Sequence, residues 1–171
     1  MDDERNIVLT GFMGTGKSTV GRLLAKLLDR EWLDTDRVIE SEHGPIPEIF
    51  ATQGEGYFRS LERQVANELA ERTNLVISTG GGMMLDSEVL EILSPVCRIF
   101  SLVAAPKNIL SRIGRHVASQ RPLLAGDDTM TRIAELLAER SVGYAQFEVI
   151  VTDDKTAFEV ATEIARLLAT D

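Results

Sequence analysis

Short apolar runs alternate with longer stretches of helical periodicity from one end of the chain to the other. Residues 6–10, Asn-Ile-Val-Leu-Thr, form a compact β-branched run that predicts a strand buried on both faces. After a glycine-rich turn, residues 20–28 carry apolar side chains at helical spacing. Trp32-Leu33 predicts a short second strand running into Asp34-Thr35-Asp36, and Gly44, Pro45 and Pro47 divide the next stretch into short helices. A longer helix is predicted over about residues 55–72, with Phe58, Leu61, Val65 and Leu69 as its buried stripe. Residues 74–78 predict a third strand ending in Thr79-Gly80-Gly81-Gly82, and residues 86–93 a helix stopped at Ser94-Pro95. A fourth strand is expected over residues 97–103, and Pro106 opens the next helix where a missing N–H costs nothing. Helix over 129–144, strand over 148–151 and an amphipathic helix over 157–168 complete the pattern. Such alternation predicts a single α/β domain over residues 1–171: a five-stranded parallel sheet between helical layers, a three-layer αβα architecture. Residues 114–128 are polar and irregular around Arg121-Pro122-Leu123-Leu124, the composition of a mobile lid.

The turn after the first strand changes the picture from fold to chemistry. Gly11 to Ser18 reads Gly-Phe-Met-Gly-Thr-Gly-Lys-Ser, matching the phosphate-cradling pattern G-x-x-x-x-G-K-[ST] between a strand and a helix, the context that gives it meaning. Glycines let backbone N–H groups converge on phosphate oxygens, and the helix start adds unpaired donors and the positive end of its dipole. A nucleoside triphosphate is therefore the expected ligand, with Lys17 along the outer phosphates and Ser18 on Mg²⁺.

Composition narrows the class. Lys and Arg total 18 against 27 Asp and Glu, a net charge of −9, which argues against nonspecific binding to nucleic acid or membrane surfaces. No apolar run reaches the ~20 residues of a membrane span, and the acidic start Met1-Asp2-Asp3-Glu4 is unlike a signal peptide. Cys97 is the only cysteine, so no internal disulfide can form and a reducing cytoplasm is expected. Its apolar neighbours predict burial rather than reactivity. His43 and His116 are isolated, with no transition-metal cluster in view.

Three further groups of residues admit two readings each. Asp34-Thr35-Asp36 can simply cap a helix, or one carboxylate can hold a magnesium-bound water while the other accepts a hydrogen bond from an attacking hydroxyl. Gly80-Gly81-Gly82 can be a tight connection, or a floor where a ligand approaches bare amides. Arg59 beside Glu62 and Arg63 has the spacing of helix-surface ion pairs. Arg140 follows Glu135 and Glu139 near a helix end, where a cation complements the dipole. Arg121, in a loop, has no such structural role. Because ligands collect at the carboxyl ends of parallel strands, the Gly11 turn, Asp34/Asp36 and Gly80–Gly82 are expected to meet in one crevice.

In order along the chain stand Gly-Phe-Met-Gly-Thr-Gly-Lys-Ser-Thr, Asp-Thr-Asp, Tyr-Phe-Arg-Ser-Leu-Glu, Ser-Thr-Gly-Gly-Gly, Arg-Pro-Leu-Leu and Arg140 ahead of Tyr144. This series resembles the shikimate kinase family, with a P-loop fold of the nucleoside-monophosphate-kinase type, over residues 6–168. The resemblance implies ATP-dependent phosphorylation of the 3-hydroxyl of shikimate, on the way to aromatic amino acids. It further suggests a bacterial pathway enzyme. With no exposed apolar stripe or heptad evident, a monomer is expected, one that by its acidic charge and lack of a long apolar run binds neither nucleic acid nor membrane. By the same resemblance Gly14, Thr15, Gly16, Lys17, Ser18 and Thr19 wrap the triphosphate, with Ser18 on the metal and Asp34 holding it through water. Asp36 would bond the ring hydroxyls, and Arg59, Gly80, Gly81, Gly82 and Arg140 would receive shikimate beside a helical segment at about 35–63. Glu62 would hold Arg59, Phe50 and Phe58 would line the apolar side, Arg112 would lie against adenine with the Lys155-Thr156 turn opposite, and Arg121 would swing in on the lid. Catalysis would rest on Lys17, Asp36 and Arg121. The chain departs from the family in lacking a proline two residues after Arg140, where Val142-Gly143 predicts a loosened helix end, and in a longer stretch between Arg112 and Arg121.

The alternatives are another small-molecule kinase of the same architecture, acting on gluconate or a nucleoside monophosphate, a regulatory GTP switch, and a silent nucleotide-binding scaffold. A neutral sugar would leave the paired arginines unexplained, and a nucleotide acceptor the glycine floor. The guanine-reading Asn-Lys-x-Asp motif is missing, which weighs against the GTP switch.

Overall fold

The computed structural model describes residues 4–114, 124 and 128–170. Its elements run β1 (Asn6–Gly11), α1 (Lys17–Leu28), β2 (Glu31–Asp34), α2 (Thr35–His43), α3 (Ile46–Gln53), α4 (Glu55–Ala70), β3 (Leu75–Ser78), a single 3₁₀ turn (Met83–Leu85), α5 (Ser87–Leu93), β4 (Cys97–Val103), α6 (Pro106–Ile113), α7 (Thr129–Ala145), β5 (Glu148–Val151) and α8 (Ala157–Ala169). The five strands form one parallel sheet in the order β2-β3-β1-β4-β5.

β1 lies at the centre, with Val8 opposite Ile77 of β3 on one side and Ile99 of β4 on the other. All six of its residues are buried, which is why its middle, Ile7-Val8-Leu9, is continuously apolar rather than alternating. Val8 and Ile77 face one layer, where Phe58, Leu61, Val65 and Leu69 of α4 pack with Val89 and Leu93 of α5. Ile7, Leu9 and Val76 face the other, against Val20 and Leu24 of α1 and Val160, Ala161 and Ile164 of α8. A third cluster built on Phe12 joins α6 to α7 through Ile109, Ile133 and Leu136 beyond the end of the sheet. Asn6 is buried and spends its amide locally: Nδ2 donates to the carbonyls of Leu69 and Arg72, and Oδ1 accepts from Leu75 N. It thereby fixes the exit of α4 to the start of β3.

The chain leaves β1 toward β2 on one side and later crosses to β4 on the other. That reversal opens a crevice at the carboxyl end of β1. The 3₁₀ turn after Gly82 leaves no mark in the hydrophobic pattern. The helix end expected to loosen at Val142-Gly143 does not: α7 continues to Ala145. Gly143 is instead where α7 closes on the 3₁₀ turn, since a Cβ there would run into Leu85 Cδ2. The segment 114–128, apart from Gly114, Leu124 and Asp128, lies outside the described residues, as does Arg121.

Candidate active site

The loop between β1 and α1 is built for an anion. Gly14 (φ 74°) and Gly16 (φ 101°) occupy the left-handed region that side chains other than glycine rarely adopt. Gly16 caps α1 without any side-chain acceptor, and the first turn of α1 contains no acidic residue. The first amides of α1 and the positive end of its dipole thus face the cleft unopposed. Thr15 is buried and its hydroxyl donates to the Phe12 carbonyl at 2.7 Å, so it contributes backbone to the loop. Lys17 lies back across the loop mouth, its Nζ donating to the carbonyls of Gly11 (2.8 Å) and Phe12 (2.9 Å). Behind it, Trp32 Nε1 donates to Ser78 Oγ (3.0 Å), which donates to the Lys17 carbonyl (2.9 Å). These bonds tie β2 and β3 to the first residue of α1, and no sequence motif announces them.

Asp34 takes the capping role and also reaches the phosphate loop. Its Oδ1 caps α2 by accepting from the amides of Asp36 and Arg37, while Oδ2 accepts from the Ser18 hydroxyl at 2.6 Å. A hydroxyl and a carboxylate side by side at the phosphate loop are hard oxygen donors of the kind Mg²⁺ selects. Among the described residues no cluster of three or more His, Cys, Asp or Glu could hold a metal by itself.

None of the three consecutive glycines has a positive φ. Their requirement is steric. A Cβ on Gly80 would lie 2.6 Å from Asp36 Oδ1 and 3.2 Å from Glu62 Oε1, and one on Gly82 would lie 2.8 Å from both Arg59 Nη atoms. One on Gly81 would sit 3.6 Å from Arg140 Nη1. The floor therefore brings two carboxylates and two guanidinium groups from α2, α4 and α7 down onto bare backbone.

Arg59 and Arg63, neighbours on α4, part company. Arg63 pairs with Asp86 and Glu88 away from the cleft. Arg59 turns into it, bonded to Glu62 Oε2 at 2.6 Å and to Glu55 Oε1 at 3.1 Å. Glu62 is 1% exposed on the apolar stripe of α4, and its Oε1 has no hydrogen-bond partner among the described residues. Burial, together with the carboxylates of Asp36 and Asp86, pushes its pKa up to about 7 against the pull of Arg59. Arg140 contacts the face of Phe12 at 5.7 Å from the ring centroid. It makes no ion pair among the described residues; Glu135 instead pairs with Arg132. Arg112 is held by Thr152, donating to its hydroxyl (2.8 Å) and carbonyl (2.9 Å), and reaches the Gly14 carbonyl at 3.3 Å.

These residues line two adjoining hollows. One, of about 370 Å³, takes in Gly14, Gly16, Lys17, Ser18, Thr19, Asp34 and Asp36, with Phe50, Phe58, Arg59, Glu62, Gly80, Gly81, Gly82 and Arg140. The other, of about 350 Å³, shares Gly14, Gly16 and Thr19 and adds Thr15, Arg112, Thr152 and Lys155. Apart from Arg121 and Thr156, every site residue expected from the sequence falls in one or both. A five-stranded parallel sheet bearing this loop, with a second polar chamber beside it, defines a P-loop kinase of the nucleoside-monophosphate-kinase type.

Comparison with known proteins carries the assignment further. The shikimate kinase family model matches residues 13–169. A shikimate kinase of Caldanaerobacter subterraneus subsp. tengcongensis is 44% identical over 95% of each chain, and one of Symbiobacterium thermophilum 41% identical, again over 95% of each. Among solved structures, a shikimate kinase from Acinetobacter baumannii in complex with shikimate superposes with a TM-score of 0.91 at 37% identity, covering 99% of this chain and 95% of that one. A gluconokinase from Sinorhizobium meliloti reaches a TM-score of 0.62 at 15% identity, a likeness of fold alone. The chain belongs to the shikimate kinase family and is an enzyme of that type.

Proposed function

We propose that this enzyme transfers the γ-phosphoryl group of ATP to the 3-hydroxyl of shikimate, giving shikimate 3-phosphate and ADP for aromatic amino-acid biosynthesis. The observation that carries this reading is the meeting of Arg59, Arg140 and Asp36 over one glycine floor, beside the phosphate loop. Guanidinium forks match a carboxylate, and a carboxylate at hydroxyl height suits a ring alcohol. An acidic protein holding an anionic acceptor needs such local cations. The arginine pair alone does not separate shikimate from gluconate, which also carries a carboxylate; the identities of 44% and 41% to shikimate kinases favour shikimate.

ATP lies with its phosphates on the amides of residues 14–19 and its adenine between Arg112 and the Lys155-Thr156 turn. Ser18 and Asp34 would hold Mg²⁺, Asp34 through water, and the ion would supply positive charge against the phosphates. Phosphoryl transfer proceeds through a loose transition state, so placement and charge neutralisation dominate. Asp36 accepts the hydrogen bond of the 3-hydroxyl; the oxygen–phosphorus bond forms as the bond to the β–γ bridging oxygen breaks, and the hydroxyl proton passes toward Asp36. Lys17 leaves its loop carbonyls for the outer phosphates. Arg121, by family resemblance, closes over the transferring group. The enzyme acts as a cytoplasmic monomer; among the described residues no helix is long and apolar enough to cross a membrane.

Coupled ADP release against shikimate, gluconate and nucleoside monophosphates tests the reading, with turnover expected on shikimate. Faster turnover on either alternative would overturn it. Arg59→Met and Arg140→Met should each raise the shikimate KM strongly and leave the ATP KM nearly unchanged. Arg121→Ala should slow single-turnover transfer at least as much as Asp36→Asn, since arginines of this kind contribute roughly 10³–10⁵ in rate and general bases about 10²–10⁴.

A further inference from the structure

Tyr144 has no part in the chemistry above, yet its side chain is buried at the acceptor end of the cleft. Its hydroxyl donates to the Gly81 carbonyl at 2.7 Å, across 63 residues of sequence. Arg140, one helical turn earlier on α7, lies over the same glycine: a Cβ on Gly81 would sit 3.6 Å from Arg140 Nη1. A phenol has one proton to give, and here it goes to the Gly81 carbonyl. Burial raises the phenol pKa, although Arg140 and Arg59 oppose it, so the hydroxyl keeps its proton. The phenol thereby pins the peptide over which Arg140 lies.

The two cleft arginines are held by opposite means. Arg59 is fixed by carboxylates, Glu62 and Glu55, which offset its charge. Arg140 lies over the face of Phe12 beside a peptide pinned by a neutral hydroxyl, and it makes no ion pair among the described residues. A carboxylate in the place of Tyr144 would compete with any anionic ligand for the guanidinium. A hydroxyl fixes the peptide beside the fork and leaves the fork's charge intact. The close approach of α7 to the 3₁₀ turn at Gly143 brings the phenol within reach of Gly81.

We propose that Tyr144 is a positioning residue for recognition of the acceptor's carboxylate. It holds the Gly81 peptide in place against the Arg140 fork, so that Arg140 presents the less neutralised of the two cations to the anion. This rests on the shikimate reading of the cleft. Tyr144→Phe keeps the buried ring and deletes the hydroxyl alone. Hydrogen bonds of this kind make a modest net contribution, larger when one partner is charged. The shikimate KM should accordingly rise at least about fivefold by that magnitude, while the ATP KM stays within about twofold and the melting temperature falls only slightly. Placed on top of Arg140→Met, the same change should add less than about twofold, because the group it orients is gone.

An unchanged shikimate KM would overturn the inference. So would equal rises in both KM values with a large drop in melting temperature, which marks a pillar of the fold, and so would full additivity with Arg140→Met. Wild-type protein without shikimate-dependent ADP release would overturn the functional reading and this inference together; normal wild-type turnover with any of the three results above removes the inference alone.

Discussion

Gly82→Ala separates the acceptor half of the cleft from the fold that carries it. Gly82 has φ −98° and ψ −10°, angles alanine adopts freely, so the backbone is not strained. The new Cβ would lie 2.8 Å from both terminal nitrogens of Arg59, where ordinary contacts begin near 3.4 Å. The guanidinium must therefore retreat by about 0.6 Å or more, a shift on the scale of the ~0.5 Å tolerance of a working site. Its bond to Glu62, 2.6 Å long, and its aim at the acceptor change together. Losing a hydrogen bond to a charged group costs about 1.5–3 kcal/mol, which translates into a roughly 10- to 150-fold rise in the shikimate KM. Stability should hardly respond. The atoms displaced are the end of a flexible, partly exposed side chain, and alanine stiffens the unfolded chain by about 0.4–1 kcal/mol in the protein's favour. Steady-state kinetics with each substrate varied in turn, calorimetric shikimate binding and a thermal melt read all three quantities. A shikimate KM within twofold of wild type at unchanged melting temperature would refute the steric account of the glycine floor; a collapse in melting temperature would show that the glycine serves the fold.

Glu62→Gln tests the buried carboxylate through pH. The folded protein keeps the Glu62 proton up to about pH 7, whereas the unfolded chain releases it near the ordinary 4.5, so its contribution to stability is present below 4.5 and lost as pH rises to 7. The wild-type unfolding free energy, minus that of Glu62→Gln, should fall by about 3 kcal/mol between pH 4 and 8 in urea titrations; a flat difference would contradict it. Gly143→Ala forces α7 and Leu85 apart, and overpacking of about 1–3 kcal/mol exceeds the roughly 1 kcal/mol gain in helix propensity. The melting temperature should drop by about 2–4 °C per kcal/mol of net loss, and a rise would mean that the contact is not limiting. Cys97, buried and with its thiol pushed up to about 12 by that burial, should resist Ellman's reagent in the native protein and react once upon denaturation; native labelling at the rate of a free thiol would disprove its burial.

Those parts of the site that consecutive residues build are legible in the sequence. Gly11 to Ser18 specify a loop through spacing and glycine alone, because a phosphate cradle is made from consecutive backbone amides. The order of strands and helices follows from hydrophobic period for the same local reason. Family resemblance adds Arg59, Glu62, Gly81 and Arg140 without saying how they touch. Glu62 does carry a signal of its own: a carboxylate among Phe58, Leu61 and Val65 stands on the buried stripe of α4, where only a paired acid is expected. Gly143 misleads, since a glycine near a helix end reads as a stop, and nothing in its neighbours announces Leu85 from another element.

What the sequence by itself determined is the set of chemical groups and the elements that bear them: the phosphate loop, the two aspartates at the end of β2, the glycine run after β3 and the arginines of α4 and α7. Tertiary structure alone decided their pairing. It turned Arg59 inward and Arg63 away, set Asp36 and Glu62 against Gly80, and brought Arg140 and Tyr144 of α7 onto Gly81. Those relations join residues far apart in the chain, and they arise only when helices pack on a sheet at fixed distances. Periodicity and spacing record neighbours along a chain, whereas a binding site is made by neighbours across it.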